Sequence, residues 1–211
     1  KGIITLTQLK SMVYELENFH FSYNAICSKP TNKLEKIYSD FSISLRNCND
    51  KIEARNIIKK LTNQLNEIYV SYQEFESEFI NLTYTKKSNN PDNVITKYVV
   101  NKIASYYEGK EIFEDDGSIE HILPESNDIK NNNNIGNLIL LEQVLNGEAD
   151  CLEYIDKITV YKKSSYKWIK EFVSSNTEWS DDKIQERSKK LSEFYYTKIL
   201  AKKISLNALK R

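Results

Sequence analysis

The chain has 211 residues, a length sufficient for one large domain or two small ones. Of these residues 40% are hydrophobic and 28% charged, and the formal net charge is zero. No apolar run reaches the roughly 18 residues of a membrane span, and residues 1–15 lack a signal-peptide core, so we expect a cytoplasmic protein with no membrane partner. Three cysteines that lie far apart exclude a disulfide framework and a clustered zinc site.

Helical patterns fill the first half of the chain. Apolar residues recur three and four positions apart over residues 5–27, which predicts an amphipathic helix, and His20 on it is expected to be a packing or surface residue. Pro30 ends this helix, and the next one runs from Thr31 to about Leu45.

A longer apolar pattern follows over residues 50–82, with a period near 3.5 that predicts one continuous helix packed against another helix or in a homodimer. Residues 86–93 read as a loop in which Asn90 and Pro91 form a cap and first-turn pair, the apolar face of the next helix runs from Val94 to Tyr107, and Gly109 reads as its stop. We therefore expect a helical bundle or linker region over residues 1–108, without recognisable chemistry.

The character of the sequence changes in the second half, residues 109–211. Residues 108–149 hold 2 basic and 10 acidic side chains, and both flanks are mildly basic. Residues 111–126 predict a strand, an Asp-Gly turn and a second strand, and the asparagine-rich loop after them is expected not to pack. An apolar run and further helices complete the chain, the last helix starting at Ser180.

A histidine on the second strand, with asparagines behind it and a helix to follow, is typical of a ββα-metal nuclease site. Hydrolysis of a phosphodiester needs a base that activates water and a cation that holds the scissile phosphate. The imidazole of His121 suits the base, because its ordinary pKa lies near working pH. Hard oxygen ligands for a Mg²⁺-type ion are available from Glu120 and Asn146.

At these residues the sequence resembles a known family. The segments "IEHILP" and "IGNLILL", followed by Asn146, "YIDKITVYKKS" and "EWSDDKIQER", resemble the HNH (His-Me finger) nuclease domain at the C-terminus of GmrSD-type and SspE-like phage-defence proteins. The resemblance covers about residues 105–200. It implies a mainly α fold with a small β-hairpin, in which a helical bundle precedes a ββα-metal nuclease core and C-terminal helices.

The resemblance also implies a role for each site residue. His121 would be the general base, and Asn137 would fix the loop and orient that base. Glu120 and Asn146 would hold the metal, and Lys157 would contact a DNA phosphate or form a structural ion pair. Both asparagines also suit simple turns, and Glu120 faces away from His121 in a regular strand.

Together these features predict a metal-dependent DNA endonuclease of a phage-defence restriction protein. It would use one Mg²⁺ or Mn²⁺ ion per site and nick double-stranded DNA, leaving 5′-phosphate and 3′-hydroxyl ends. Relatives carry a nucleotide-dependent N-terminal domain, which we expect to belong to the same chain because the sequence starts at Lys1 without Met. The alternatives are a non-catalytic module with a decayed nuclease fold, binding DNA or protein, and a nuclease that acts on RNA.

Overall fold

The computed structural model describes residues 2–86, 92–110, 117–126 and 130–204. It divides into two compact units, Lys1–Phe75 and Glu76–Arg211. This division lies earlier than the boundary at residues 108 and 109 that the sequence suggested, so the second unit includes a helix that we assigned to the first half. Within the described ranges, no helix combines the length and the apolar character needed to cross a bilayer.

Helices build the first unit. Helix α1 spans Leu6–His20 and continues as a π-helix over Phe21–Ile26, and α2 spans Asn32–Asn47. The side chains of Thr5 and Gln8 form a capping box at the start of α1, satisfying amide groups that the first turn leaves unpaired. These helices confirm the sequence predictions for this part of the chain.

The predicted continuous helix over residues 50–82 is wrong. Helix α3 ends at Glu67 and α4 spans Tyr72–Phe79. Between them Ser71 starts a new helix: its hydroxyl accepts from the amide of Glu74, whose carboxylate accepts from the amide of Ser71. This reciprocal cap provides a local alternative to helix continuation that the apolar period does not reveal.

The second unit contains a strand pair followed by a helix. Helix α5, Asp92–Glu108, ends at Gly109 in a left-handed conformation, as predicted. Strand β1 spans Gly117–His121 and β2 spans Leu138–Glu142, and the two are antiparallel, with His121 opposite Leu138. Helix α6, Gln143–Ala149, follows β2 directly.

The pairing of the strands differs from the hairpin predicted from sequence. Residues 111–116, which were to supply the first strand and the Asp-Gly turn, lie outside the described residues. In the described part β1 pairs with the later apolar run, so His121 lies on the first strand of this pair, not on the second. The apolar run forms a strand because four consecutive residues of it, Leu138 to Leu141, are buried.

Residues 130–134 contradict the expectation that this asparagine-rich loop does not pack. Asn132 is buried, Asn131 donates to the carboxylate of Asp181, and Asn134 donates to the carbonyl oxygen of Ile80. Asn131 and Asn134 can pack because their amide donors find partners, and those partners lie far away in sequence.

Three helices complete the second unit: α7 spans Tyr154–Tyr161, α8 spans Lys167–Ser175 and α9 spans Asp181–Phe194. The hydroxyl of Ser180 caps α9 by accepting from the amide of Lys183, as the sequence predicted. A π-helix over Tyr195–Ile199 continues α9.

Candidate active site

His121 ends β1, and its side chain is 4% exposed. Its Nε2 lies 3.0 Å from the carbonyl oxygen of Tyr84. A carbonyl only accepts, so Nε2 carries the proton and the lone pair of the neutral ring is on Nδ1. Nδ1 has no hydrogen-bond partner among the described residues and is not one of their fully buried unpaired atoms. The ring therefore offers a basic nitrogen that no described residue occupies.

The electrostatic setting of His121 favours its neutral form. Burial lowers the pKa of His121 below that of an exposed histidine, because an imidazolium loses hydration there, while the hydrogen bond to Tyr84 opposes that effect. The imidazole is consequently unprotonated at neutral pH, which is the state that a general base requires.

The carbonyl that orients His121 belongs to a segment we call the 82–86 segment. Its backbone pairs with the asparagine-rich loop, since the amide of Tyr84 donates to Asn133 at 2.8 Å. The hydroxyl of Thr96 binds the carbonyl of Thr83 at 2.7 Å, and the hydroxyl of Thr85 binds the carboxylate of Glu125. These contacts hold the acceptor for His121 in place.

Asn137 is fully buried, and its side chain forms hydrogen bonds with other parts of the chain. Its Oδ1 accepts from the amide of Leu123 at 2.9 Å and from the indole of Trp179 at 3.1 Å. Its Nδ2 donates to the carbonyl oxygens of Leu123 and Asn132, at 2.8 and 2.7 Å. Asn137 thus ties down the chain just after His121, and its part in orienting that histidine stays a prediction.

Helix α9 supports the loop that carries Asn137. A Cβ added to Gly136 would lie far inside van der Waals contact with the carbonyl oxygen of Ile184, so only glycine permits this approach. Nη1 of Arg187 donates to the carbonyl oxygens of Gly136 and Leu138, at 2.7 and 2.8 Å. Its guanidinium also faces the rings of Trp168, Phe172 and Trp179. Burial lowers the pKa of Arg187 to about 10, so it remains a cation.

The side chain of Glu120 faces α7 and not the carbonyl oxygen of Tyr84 that binds His121. Its Oε1 accepts from Nζ of Lys157 at 2.6 Å and from the hydroxyl of Tyr161 at 2.9 Å. Burial raises the pKa of Glu120, and the ammonium of Lys157 opposes that rise. Burial also raises the pKa of Tyr161 well above its usual value, so this phenol stays a donor.

The buried position of Lys157 argues against the predicted DNA contact. Its side chain is 0% exposed, and its ammonium binds Glu120 and, at 2.7 Å, the carbonyl oxygen of His121. A phosphate cannot reach an ammonium in this position, and the geometry matches the structural ion pair that we kept as the alternative. Lys157 thereby links α7 to the end of β1.

Asn146 lies on α6 and presents a carbonyl oxygen beside the strands. Its Nδ2 donates to the carbonyl oxygen of Ile119 at 3.0 Å, which fixes the direction of the amide. Its Oδ1 lies 3.4 Å from Nζ of Lys86, the last residue of the 82–86 segment. In the part of the chain that the structure describes, no three His, Cys, Asp or Glu residues group as metal ligands, so a cation here would need the amide oxygen of Asn146 and water in addition to any carboxylate.

Sequence reasoning did not single out Tyr84, Lys86, Trp179 or Arg187. Tyr84 acts through its backbone carbonyl, which every residue type has, so no side-chain pattern could reveal it. Trp179 and Arg187 do lie in the segment "EWSDDKIQER" that carried the resemblance, and their contacts to Asn137 and its neighbours explain why that segment matters.

A strand pair, a following helix and a buried neutral histidine define a unit suited to acid–base chemistry. The chain matches the family model of GmrSD restriction endonucleases, C-terminal domain, over residues 69–194. The chain belongs to this family, which places it with the restriction endonucleases and confirms the resemblance read from the sequence. The comparison with curated proteins gave no significant match.

Proposed function

We propose that this chain is the nuclease part of a phage-defence restriction protein and that it cuts DNA by metal-dependent hydrolysis. Strands β1 and β2 with α6 would form a ββα-metal core of the HNH type, and His121 would be its general base. The observation that carries this proposal is the bond from Nε2 of His121 to the carbonyl of Tyr84, which leaves Nδ1 as a basic nitrogen.

The chemistry assigned to His121 follows from that bond. Nδ1 takes a proton from a water molecule, and the water oxygen attacks phosphorus in line with the leaving 3′-oxygen. The ring is then an imidazolium whose Nε2 proton still points at the carbonyl of Tyr84, and this dipole stabilises the new charge. The products carry 5′-phosphate and 3′-hydroxyl ends.

We propose that the site takes one hard divalent cation such as Mg²⁺ or Mn²⁺, because Asn146 and Glu120 offer oxygen donors of the type these ions prefer. Oδ1 of Asn146 already accepts from a cation, the ammonium of Lys86, and Oε1 of Glu120 accepts from Lys157 and Tyr161 while its Oε2 has no hydrogen bond among the described residues. Asn146 and Glu120 would hold the ion, with water completing its shell, as Mg²⁺ prefers. A bound ion would neutralise charge on the phosphate and the leaving oxygen.

Double-stranded DNA is the substrate we propose, since the family name is that of restriction endonucleases. One such site per chain suits nicking, and cutting both strands would need two chains or two events. Residues 150–211 hold 14 basic and 9 acidic side chains, a surplus that favours contact with phosphates.

The test is cleavage of supercoiled plasmid with Mg²⁺ or Mn²⁺, with EDTA as a control, by wild type and His121→Ala. The other histidine of the chain provides a matched control, because His20 lies in the first unit and binds Asn24 and Tyr38 through its two ring nitrogens. General-base catalysis contributes about 10²- to 10⁴-fold, so His121→Ala should lose at least about 100-fold in rate while His20→Ala stays active.

Equal cleavage by the His121→Ala and wild-type proteins would reject the assignment of the base. Full activity in EDTA would reject the cation. A folded wild-type protein that binds DNA and cuts nothing would favour the non-catalytic module, and cleavage of RNA in preference to DNA would favour the ribonuclease.

A further inference from the structure

Lys86 places a positive charge at the amide oxygen that we assign to the cation. Its Nζ lies 3.4 Å from Oδ1 of Asn146, while Nδ2 of the same amide is tied to Ile119. Asn146 cannot turn that oxygen elsewhere without losing its bond to the strand. The ammonium is thus the one partner that holds Oδ1 among the described residues.

The field of Lys86 reaches the other two residues of the site. Burial raises the pKa of Glu120 and lowers that of His121; the charge of Lys86 opposes the first shift and adds to the second. A cation bound between these residues would act on them with the same signs. The charge of Lys86 therefore acts on Glu120 and His121 in the same direction as a divalent cation would, with one charge instead of two.

The backbone of Lys86 is anchored, whereas its side chain can move. Its amide lies 3.4 Å from Oε2 of Glu125, whose Oε1 accepts from the hydroxyl of Thr85. Two residues before Lys86, the carbonyl oxygen of Tyr84 accepts from His121. The residue is exposed, and a lysine carries its charge on a flexible four-carbon stem. The ammonium can leave Asn146 without disturbing the base.

From this geometry we propose that Lys86 is an internal competitor of the divalent cation: its ammonium holds Oδ1 of Asn146 in the metal-free protein and must move away before an ion binds. This inference rests on the proposed metal-dependent function. It is energetically unfavourable for two cations to share one amide oxygen, because like charges a few ångströms apart repel strongly where water is partly excluded. Lys86 therefore raises the ion concentration that the site requires.

The test measures Mn²⁺ binding directly, by electron paramagnetic resonance of the free ion, without any cleavage reaction. Lys86→Met should lower the Kd for Mn²⁺ by about tenfold, the effect of removing one positive charge near a divalent ion. Lys86→Arg keeps the charge and should stay near wild type. Lys189→Met is the matched control, because Lys189 is exposed on α9 and its loss changes the net charge of the protein equally.

Each outcome separates the two proposals. A tighter Kd in Lys86→Met alone supports competition by the ammonium. If wild type binds Mn²⁺, Asn146→Ala loses it and Lys86→Met matches Lys189→Met, the competition is refuted while the cation site stands. Should wild type and Lys86→Met both fail to bind Mn²⁺ at millimolar concentration, the cation itself is refuted, and the competition with it.

Discussion

At the scale of single residues, burial and one backbone carbonyl set the protonation of His121. Its pKa is lowered in the folded protein, so the imidazolium is disfavoured and the neutral base persists to lower pH than in an exposed histidine. The single-turnover rate of DNA cleavage should therefore rise with pH through a midpoint below that of an exposed histidine and be level at neutral pH.

The check is a pH–rate profile at saturating Mg²⁺, with each protein sample confirmed as folded at each pH. A midpoint clearly above 7 would mean that the group which titrates is not a desolvated histidine, and would point to a different base.

The buried pair of Glu120 and Lys157 should dominate stability at this scale. Lys157→Met leaves a carboxylate at 2% exposure without its ammonium, and breaking a buried pair in this way costs about 3–5 kcal/mol. The exposed pair of Lys163 and Glu148 gives a matched control, for which Lys163→Met should cost less than about 1 kcal/mol. Urea unfolding measures both free energies.

Equal costs for the two lysine variants would contradict the account of Lys157 as a buried structural cation. Replacing Glu120 by glutamine in the Lys157→Met background should recover part of the loss, because the buried charge is then removed.

The resemblance of the sequence to its family predicted roles for His121, Glu120, Asn137 and Asn146, and the structure places them on β1, on the 3-10 turn before β2 and on α6. It could not reveal which partner each side chain takes. Lys157 shows the reason: a lysine in an amphipathic helix is usually solvated, and only the tertiary structure buries it against Glu120.

At the scale of elements, the approach of α9 to Gly136 fixes the loop that carries Asn137. Gly136→Ala places a methyl group against the backbone of Ile184, which cannot move as a side-chain end can. Overpacking of this kind costs about 1–3 kcal/mol, and a shift of the loop would also slow cleavage by disturbing Asn137.

Gly147→Ala is the matched control, because an added Cβ there meets nothing within 4 Å and α6 should gain about 0.5–1 kcal/mol from alanine. Thermal melting of both variants measures the difference. An unchanged melting temperature for Gly136→Ala would show that α9 does not pack on this loop as described.

Helix boundaries illustrate what the sequence predicts at this scale and what it misses. Gly109 and Ser180 mark a helix end and a helix start, as their local chemistry predicts. The break before Tyr72 was missed because the apolar residues keep their period on both sides of it. The cap formed by Ser71 and Glu74 nevertheless starts a new helix there. Strand pairing was missed for another reason: it joins residues 117 and 142, and separation in sequence gives no local signal.

At the scale of the whole molecule, all the proposed site residues lie in the second unit, as does most of the family match. The central claim is that one imidazole, that of His121, activates the water that cuts DNA. Chemical rescue tests this most directly, since a small imidazole can enter the space left by the removed side chain and act as the base.

The measurement is the rate at which His121→Ala converts supercoiled plasmid into nicked circles as free imidazole is added, with Mg²⁺ present and wild type alongside. We predict that the variant is nearly inactive alone and that imidazole restores cleavage in a saturable manner, following the unprotonated form as pH changes. Cleavage by His121→Ala at the wild-type rate without imidazole would contradict the account.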